Sequence, residues 1–435
     1  MRRFALLLLV CLLPAAAWAA FASFAVNGPS GACTAYLTGS AAHPIANTPT
    51  EPTLGNTYTD PVFNPGACAK VQMRRITNNG VGGSSNNYAS NFLTLNSDGT
   101  YALVNGGGAG ILVINAVTGA TIRSTVPFGS QTFNMEWSPT DPDKYYYFSG
   151  SSLMRYSVSG NSSATIHTFA ASLSSLGGSL NYIDKTGNYF VVNFSGNTTI
   201  YDLAANAVYS GGSSISISTG WASITPDAAY MVVVDDSGPP GGATFWAYPI
   251  DTVGHAVNTG HIFWTLCGDH SDVMSASNGH EYLIGFDCYS GGGSGAGVWR
   301  IDMSLTQSSG NVSQQKSQNT QLLPLTYSPS TNSGHYTCVD TGAQQDWCFI
   351  AIEDETSGDY PGTGIPYYNE IIGFNMTTLE VRRYIHHLSN NMNSGGGYYN
   401  TPRPSISKDG SKMAYATNWL SGANNSDMFV MEIQW

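Results

Sequence analysis

The sequence predicts an all-β fold, a single seven-bladed β-propeller of four-stranded antiparallel blades that is closed by an N-terminal strand. A unit of short strand, polar turn and longer β-rich strand recurs with a period of roughly 40 to 50 residues. Most units continue with a third and a fourth strand, and no helical periodicity follows the N-terminus. The units begin at Phe92, Phe133, Leu180, Trp221, Asp272, His335 and Arg403.

The last unit explains how the ring closes. It ends in SDMFVMEIQW and has only three strands. We expect Lys70–Thr77 (KVQMRRIT) to supply the missing strand beside Met428–Ile433, because this closure leaves no open sheet edge. The propeller then spans residues 70–435, and residues 21–69 form a lead-in segment rich in Pro, Ala and Gly.

The N-terminus predicts export. Residues 1–20 (MRRFALLLLVCLLPAAAWAA) combine two arginines, an apolar run and a small-residue exit. This is the pattern of a secretory signal peptide, cleaved here after Ala19 or Ala20, and it is too short for a stable transmembrane span. We therefore expect a secreted or periplasmic protein that does not insert into a membrane.

Cysteine usage agrees with export. Six cysteines remain once Cys11 leaves with the signal peptide, and an even number in an exported chain suggests disulfides. A zinc site is the alternative, but no CxxC or HxxxH spacing supports it. The spacings suggest three local pairs: Cys33–Cys68, Cys267–Cys288 and Cys338–Cys348.

Composition and net charge limit the classes of binding partner that the protein can have. Only 10% of the residues are charged and the net charge is −12, so no basic stripe for nucleic acid or anionic lipid is present. Tyrosine and asparagine are abundant, which suits contacts with a polysaccharide or another glycan but is also ordinary in β-proteins. The sequence does not indicate an oligomeric state.

Aligning the units predicts a site at one mouth of the central channel. Asp98 is the turn residue of the first unit, and each other unit has an equivalent. The residue six positions before it in each of the seven units should begin the innermost strand of that blade. One half of this ring is mainly apolar and the other is ionisable, as an oriented ligand site requires. The ring consists of Phe92, Asn134, Leu180, Trp221, Asp272, His335 and Arg403.

Loops between the blades add polar groups to the same face. His270 precedes blade five, and Tyr398 and Tyr399 lie in the Gly-rich loop before blade seven. His386 and His387 are adjacent and therefore point to opposite sides of a strand, so at most one of them faces the site, and we favour His387.

Each of these residues also has a structural interpretation. His270 at a strand start can simply bond a carbonyl, His335 can brace a disulfide-linked hairpin, and Arg403 can pair with a carboxylate between blades. Three further aspartates are interpreted as turn residues on the opposite face: Asp98, Asp227 and Asp409.

Several motifs resemble those of known propellers. The SxDG-like turns and the closing PRPSISKDGSKMAYATNW resemble the exported WD40-like and TolB-like bacterial propellers. GDHSD, GHYTC and IHHLSNN…PRPSISKDG follow in the same order as comparable signals in that group, and the final-blade pattern is similar to that of the oligogalacturonate lyases. The resemblance begins at about Lys70.

This resemblance implies a polysaccharide lyase that acts by β-elimination on uronate sugars. Such a reaction needs a base, a cation beside the carboxylate and an acid for the leaving oxygen. His335 or His270 is the predicted base and Arg403 the predicted cation. The predicted acid is Tyr336, Tyr398 or Tyr399. Trp221, Asn134 and Asp272 are predicted to contact the ligand.

In the lyases that this chain resembles, histidines hold a divalent metal. The corresponding ligands here are His270, His335 and His387, with Asp272 assisting, and the ion would be manganese, calcium or zinc. One departure weakens this set: the P-H-x-S signal reads Pro402-Arg403-Pro404-Ser405, and arginine does not ligate a metal at neutral pH.

A second function class stays open. Propellers also serve as binding platforms, and the fold alone implies no chemistry. The alternative is a non-catalytic binding or structural propeller for a glycan, a peptide or an envelope protein. An enzyme requires His270, Asp272, His335 and Arg403 to converge on one ligand, whereas a platform does not.

Overall fold

Seven small antiparallel sheets form the structure, a computed structural model, and confirm the predicted seven-bladed propeller. The described residues are 48–63, 71–78, 94–105, 110–129, 135–177, 181–215, 217, 220–235, 243–265, 270–287, 297–306, 312–324, 334–352, 367, 369–390, 401–421, 426–433 and 435.

The first three blades are built from short antiparallel hairpins, with register shifts between β4 and β5 and between β8 and β9. In blades one and three the innermost segment forms single bridges, Leu95 to Ala102 and Ile183 to Phe190. The strands are β3 (Tyr101–Asn105), β4 (Ile111–Asn115) and β5 (Thr121–Val126) in blade one; β6 (Met135–Trp137), β7 (Lys144–Ser149), β8 (Ser152–Ser157) and β9 (Ser162–Thr168) in blade two; and β10 (Tyr189–Phe194), β11 (Asn197–Asp202) and β12 (Ala207–Val208) in blade three.

Blade four has extra strands at its outer edge, where β13 (Ser210–Gly211), coming from blade three, pairs in parallel with β17 (Ala256–Val257). Blade five carries a seven-residue helix, α1 (Val312–Gln318), before its outer strand. The remaining strands are β14 (Trp221–Ile224), β15 (Tyr230–Asp235), β16 (Thr244–Asp251) and β18 (His261–Trp264) in blade four, and β19 (Asp272–Ser275), β20 (Glu281–Asp287), β21 (Gly297–Asp302) and β22 (Thr320–Pro324) in blade five.

Blades six and seven complete the ring. Their strands are β23 (Gly334–Cys338), β24 (Trp347–Ile352), β25 (Glu370–Asn375) and β26 (Val381–His386) in blade six, and β27 (Ser405–Ile406), β28 (Lys412–Thr417) and β29 (Asp427–Ile433) in blade seven. No helix in the described part of the chain is long and apolar enough to cross a membrane.

Sequence chemistry accounts for the strands and turns. The strands are rich in β-branched and aromatic residues, as in β7 (KYYYFS) and β15 (YMVVVD). The turns use carboxylates to bind their own backbone: Asp98 accepts a hydrogen bond from the Thr100 amide, and Asp409 accepts one from the Ser411 amide. These contacts support the structural interpretation of Asp98 and Asp409.

The core lies between neighbouring blades. Met274 and Ile284 of blade five pack against Tyr336 and Ile350 of blade six, in one of several buried apolar clusters that join adjacent sheets. Each sheet therefore buries both faces, and burial of apolar area holds the ring together.

The predicted closure is confirmed. The strand β2 (Val71–Arg75) pairs antiparallel with β29 as the fourth strand of blade seven. The Arg75 guanidinium donates to the Asp427 carboxylate at 2.5 Å, and the Thr77 hydroxyl donates to the same carboxylate at 2.9 Å. The lead-in segment then adds a fifth strand, β1 (Thr57–Tyr58), outside β2.

One predicted disulfide is present. Cys338 and Cys348 are directly opposite each other in β23 and β24 and are bonded. Cys33–Cys68 and Cys267–Cys288 lie outside the described residues, as does the predicted signal peptide.

Candidate functional site

Hydrogen bonds between innermost strands fix the relative level of the blades. A side chain of one blade accepts a hydrogen bond from a backbone amide of another: Asp272 from Cys338 at 2.7 Å, Thr337 from Ile406 at 3.1 Å, Ser405 from Thr94 at 2.8 Å and Glu136 from Tyr182 at 2.8 Å. We call Glu136, Asp272, Thr337 and Ser405 the channel tier.

A second set of residues lies two positions before the channel tier in the sequence: His270, His335 and Arg403, which we call the mouth tier, and Asn134, which lies outside the described residues. His335 belongs to β23, so it lies on the same side as Thr337, roughly 7 Å further along. His270 and Arg403 precede β19 and β27, so strand geometry does not fix their level. The shared level of His335 and Arg403 stays a prediction.

The alignment of blade five was wrong by two positions. Asp272 lies level with Thr337 and Ser405, and His270 occupies the place beside His335. Counting back from the turn assumes the same number of residues before every turn, but Asp272 stands six positions before the aligned turn residue Asn278, whereas Thr337 and Ser405 stand four positions before Thr341 and Asp409. The predicted convergence of Asp272 with His335 and Arg403 at one level is therefore not found.

His270 and His335 form a stacked pair across the boundary between blades five and six. Their ring centroids are 4.1 Å apart and the ring planes are inclined by 18°. His335 is 3% exposed, whereas His270 is partly exposed. A ligand at this mouth therefore meets His270 first, with the His335 ring directly behind it.

Arg403 adopts a strained backbone conformation. Its φ angle is +43°, in the left-handed region that residues with a Cβ rarely adopt, and it stands between Pro402 and Pro404. Its Nε donates to the Thr401 hydroxyl at 2.6 Å, and the side chain is 1% exposed. Such conformations cost of order 1–3 kcal/mol and cluster at functional sites.

Two predicted ligand contacts are buried in the core. Tyr336 follows His335 in β23, so it points to the opposite side of the strand and packs between blades five and six. Trp221 packs against Phe245 at 6.1 Å between centroids and is 4% exposed. Tyr336 is thus misplaced for an acid at the mouth, and Trp221 does not form an open stacking wall.

His387 is held by the protein. Its Nε2 lies 3.0 Å from the Ile352 carbonyl oxygen, and its Nδ1 accepts a hydrogen bond from the Ser389 amide. Burial lowers the pKa of His387 to about 3, so the ring is neutral. With both nitrogens in these contacts, His387 has none left for a metal ion, contrary to the predicted ligand set.

The adjacent His386 faces the lead-in segment. Its Nδ1 lies 2.8 Å from the Asp60 carboxylate, and its ring packs edge-on against Phe63 at 4.7 Å between centroids. Neither member of the His386–His387 pair therefore reaches the mouth tier. Tyr398 and Tyr399 lie outside the described residues.

The stacked histidines do not suit a shared metal ion. The ring centroids are 4.1 Å apart and the ring planes are inclined by only 18°, so the two rings lie face to face. A metal ion bonds an imidazole nitrogen at roughly 2 Å in the plane of the ring, and two nearly parallel rings do not direct their nitrogens at one such position. Among the residues that the structure describes, no three His, Cys, Asp or Glu side chains form a group that could hold a metal.

Comparison with known proteins reveals a fold relationship. No known protein family matches this sequence, and no curated protein matches it. An oligogalacturonate lyase in complex with manganese is 14% identical with a TM-score of 0.54, covering 87% of this chain and 96% of its own. An oligogalacturonate lyase from Vibrio parahaemolyticus is 9% identical with a TM-score of 0.48, at the same coverages.

The first comparison shows a common propeller fold. The similarity expected from the final-blade pattern is therefore found at the level of architecture. At 14% identity it carries no residue roles, because unrelated functions share such folds. The resemblance to WD40-like and TolB-like exported propellers stays a prediction.

Sequence reasoning missed the charged groups inside the channel. Glu136, Asn181, Asp340 and Lys408 are at most 3% exposed, and Lys408 donates to each of the other three. The available signal was the position of Glu136 near the start of an innermost strand in a chain with few charges. Lys408 and Asp340 resembled ordinary turn residues.

Proposed function

We propose that this protein is an exported propeller that acts on uronate-containing polysaccharide at the mouth tier. The observation that carries the proposal is the stacked His270–His335 pair, with Arg403 predicted to lie at the same channel mouth. A carboxylated sugar needs a cation near its carboxylate and a group that exchanges protons, and the mouth tier contains both kinds of side chain. The predicted signal peptide supports an extracellular substrate.

The reaction proposed is β-elimination. The partly exposed His270 removes the proton from the carbon next to the sugar carboxylate, and His335 packs behind it to hold the ring. Arg403 offsets the charge that develops on the carboxylate. The electron pair forms a carbon–carbon double bond as the bond to the leaving oxygen breaks, and an acid protonates that oxygen. Tyr398 and Tyr399 remain the candidates for this acid.

A metal ion is not assigned to this site. The oligogalacturonate lyase of similar fold binds manganese, and the corresponding histidines were predicted as ligands here. The stacked rings of His270 and His335 and the internal contacts of His387 do not provide a converging ligand set. The proposed steps therefore rest on side chains of this chain alone.

The test is turnover of polygalacturonate and other uronate polymers, followed by the ultraviolet absorbance of unsaturated products. We expect His270→Ala and Arg403→Ala each to lower kcat/KM by about 10²–10⁴-fold, the usual contribution of a group acting in the transition state. His280→Ala is the matched control, because His280 lies on an exposed turn beside Asp302. Full activity in His270→Ala would refute the assignment.

The burial of His335 and Arg403 favours one alternative, a non-catalytic propeller that binds acidic glycan through His270. Binding of the same polymers, measured by calorimetry on protein that releases no unsaturated product, would establish this second function. Loss of that binding in His270→Ala, with His280→Ala unchanged, would locate it at the mouth tier.

A further inference from the structure

Five polar side chains meet inside the channel, on the far side of the mouth tier. None exposes more than 3% of its surface. They come from the innermost strands or following turns of five different blades: two, three, five, six and seven. We call this set the channel cluster: Glu136, Asn181, Asp272, Asp340 and Lys408.

Lys408 is the centre of the channel cluster. Its Nζ donates to Asn181 Oδ1 at 3.0 Å, to Glu136 Oε1 at 3.2 Å and to the Asp340 carboxylate. An ammonium has three protons, so these three acceptors use its whole donor capacity. One side chain of blade seven is thereby bound to blades two, three and six.

The acceptors are themselves held in place. Asn181 Nδ2 donates to Asp272 Oδ1 at 3.3 Å, and Asp272 Oδ2 accepts from the Cys338 amide at 2.7 Å. Glu136 Oε2 accepts from the Tyr182 amide at 2.8 Å. The contacts thus run from side chains to the backbone of blades three and six, and β23 of blade six also carries His335.

The charges of the channel cluster are unequal. Burial raises the pKa of Glu136 to about 7, with Lys408 opposing the rise. Burial alone would lower the pKa of Lys408, but Asp340 and Glu136 together raise it, so the ammonium stays charged. Three carboxyl groups therefore share one cation, and removing that cation would leave acids buried without compensation.

We propose that Lys408 is an internal counter-ion that closes the channel beneath the mouth tier and fixes five blades relative to one another. Glu136 is its proton-dependent partner, facing Lys408, Asp340 and the Tyr182 amide. Because Arg403 lies five residues before Lys408 and His270 lies two residues before Asp272, the channel cluster also sets the relative positions of the mouth residues. A ligand then enters and leaves on the mouth side only.

The test compares Lys408→Met with Lys412→Met. Lys412 is a half-buried lysine of the same blade whose Nζ donates to a single carbonyl, that of Gly99. Breaking a buried charge pair should reduce the folding equilibrium constant by about a hundred-fold or more. Losing one neutral acceptor at Lys412 should cost about tenfold or less. Denaturant unfolding followed by tryptophan fluorescence measures both.

A charge-neutral triple variant, Glu136→Gln with Asp340→Asn and Lys408→Met, distinguishes loss of the counter-ion from loss of packing. It should recover most of the stability that Lys408→Met loses, because no carboxylate at these two positions is then left unpaired. This variant keeps the test decisive even if Lys408→Met fails to fold. Equal stability of Lys408→Met and Lys412→Met, or no recovery in the triple variant, would overturn the proposal.

Discussion

His270 at the mouth and the channel cluster behind it are built in opposite ways. At the mouth, His270 is partly exposed and stacks on His335. In the channel, every charged group is enclosed, and Lys408 saturates its donors on three acceptors. His270, which can meet a ligand, therefore stands only two residues before Asp272, which belongs to the set that holds the blades.

The difference teaches how a chain with few charges uses them. A buried charge costs several kcal/mol unless it is paired and hydrogen-bonded, so charges inside a protein occur in compensated sets. Polar residues at the mouth avoid this cost where they remain in contact with solvent. An ionisable residue at the start of an innermost strand therefore indicates a ligand site only when the structure shows that it lies at the channel mouth and not in the channel cluster.

The largest expected effect tests the channel cluster. Asp340→Ala removes a carboxylate bound to Lys408 and should lower the free energy of unfolding by about 3–5 kcal/mol. His270→Ala at the mouth should lower it by about 1 kcal/mol or less, because this ring is partly exposed. Urea denaturation of both variants provides the comparison. Similar losses of unfolding free energy would show that the channel cluster does not stabilise the fold more than His270 does.

The second prediction concerns pH. The pKa of Glu136 is raised from 4.5 to about 7, so its stabilising contribution is present below pH 4.5 and is lost as the pH rises through 7. The loss reaches about 3 kcal/mol at most. Burial raises the pKa of Glu281 to about 7 as well, so this residue adds to the same decline.

His387 acts in the other direction. Its pKa is lowered from 6.5 to about 3, so its contribution is present above pH 6.5 and is lost as the pH falls towards 3. Between pH 4.5 and 6.5 two glutamates oppose one histidine, so the net slope is downward and stability should be greatest near pH 4.5. Urea midpoints measured between pH 4.5 and 7 should fall less steeply in Glu136→Gln than in the wild type. An identical decline in the two proteins would exclude Glu136 as the cause.

The third prediction tests the strand that carries both His335 and Thr337. Replacing Cys338 and Cys348 together by alanine removes a disulfide with a sequence separation of 10. The free energy of unfolding should fall by about 3 kcal/mol, because the disulfide no longer restricts the conformational entropy of the unfolded chain. The amide of residue 338 remains to bind Asp272, so the channel cluster should persist. Thermal unfolding with and without reductant, in wild type and variant, measures the effect.

The smallest expected effect is on stability at exposed histidines. His280 lies on the far-side turn with its Nδ1 2.8 Å from the Asp302 carboxylate, and its substitution by alanine should change stability by about 0.5 kcal/mol or less. His270→Ala should weaken the binding of uronate polymers, whereas His280→Ala should leave binding unchanged. Equal binding losses would remove the distinction between the two faces.

The sequence supports the site prediction unevenly. His270 and His335 meet, because they lie at or just before the starts of neighbouring innermost strands whose repeat is visible in the sequence. Asp272 was assigned to the wrong tier because the number of residues between the channel tier and the turn is not repeated from blade to blade. Trp221 and Tyr336 were misassigned because the side of a strand that faces a neighbouring blade depends on packing.

The sequence by itself determined the seven strand units, the closing strand at residues 71–75 and the pairing of Cys338 with Cys348, since each depends on local pattern or short spacing. Only the tertiary structure decided that Glu136, Asp340 and Lys408 meet in the channel and that His387 is held by Ile352 and Ser389. These contacts join residues that are distant in the chain, and their position follows from the radial packing of blades, which no local pattern records.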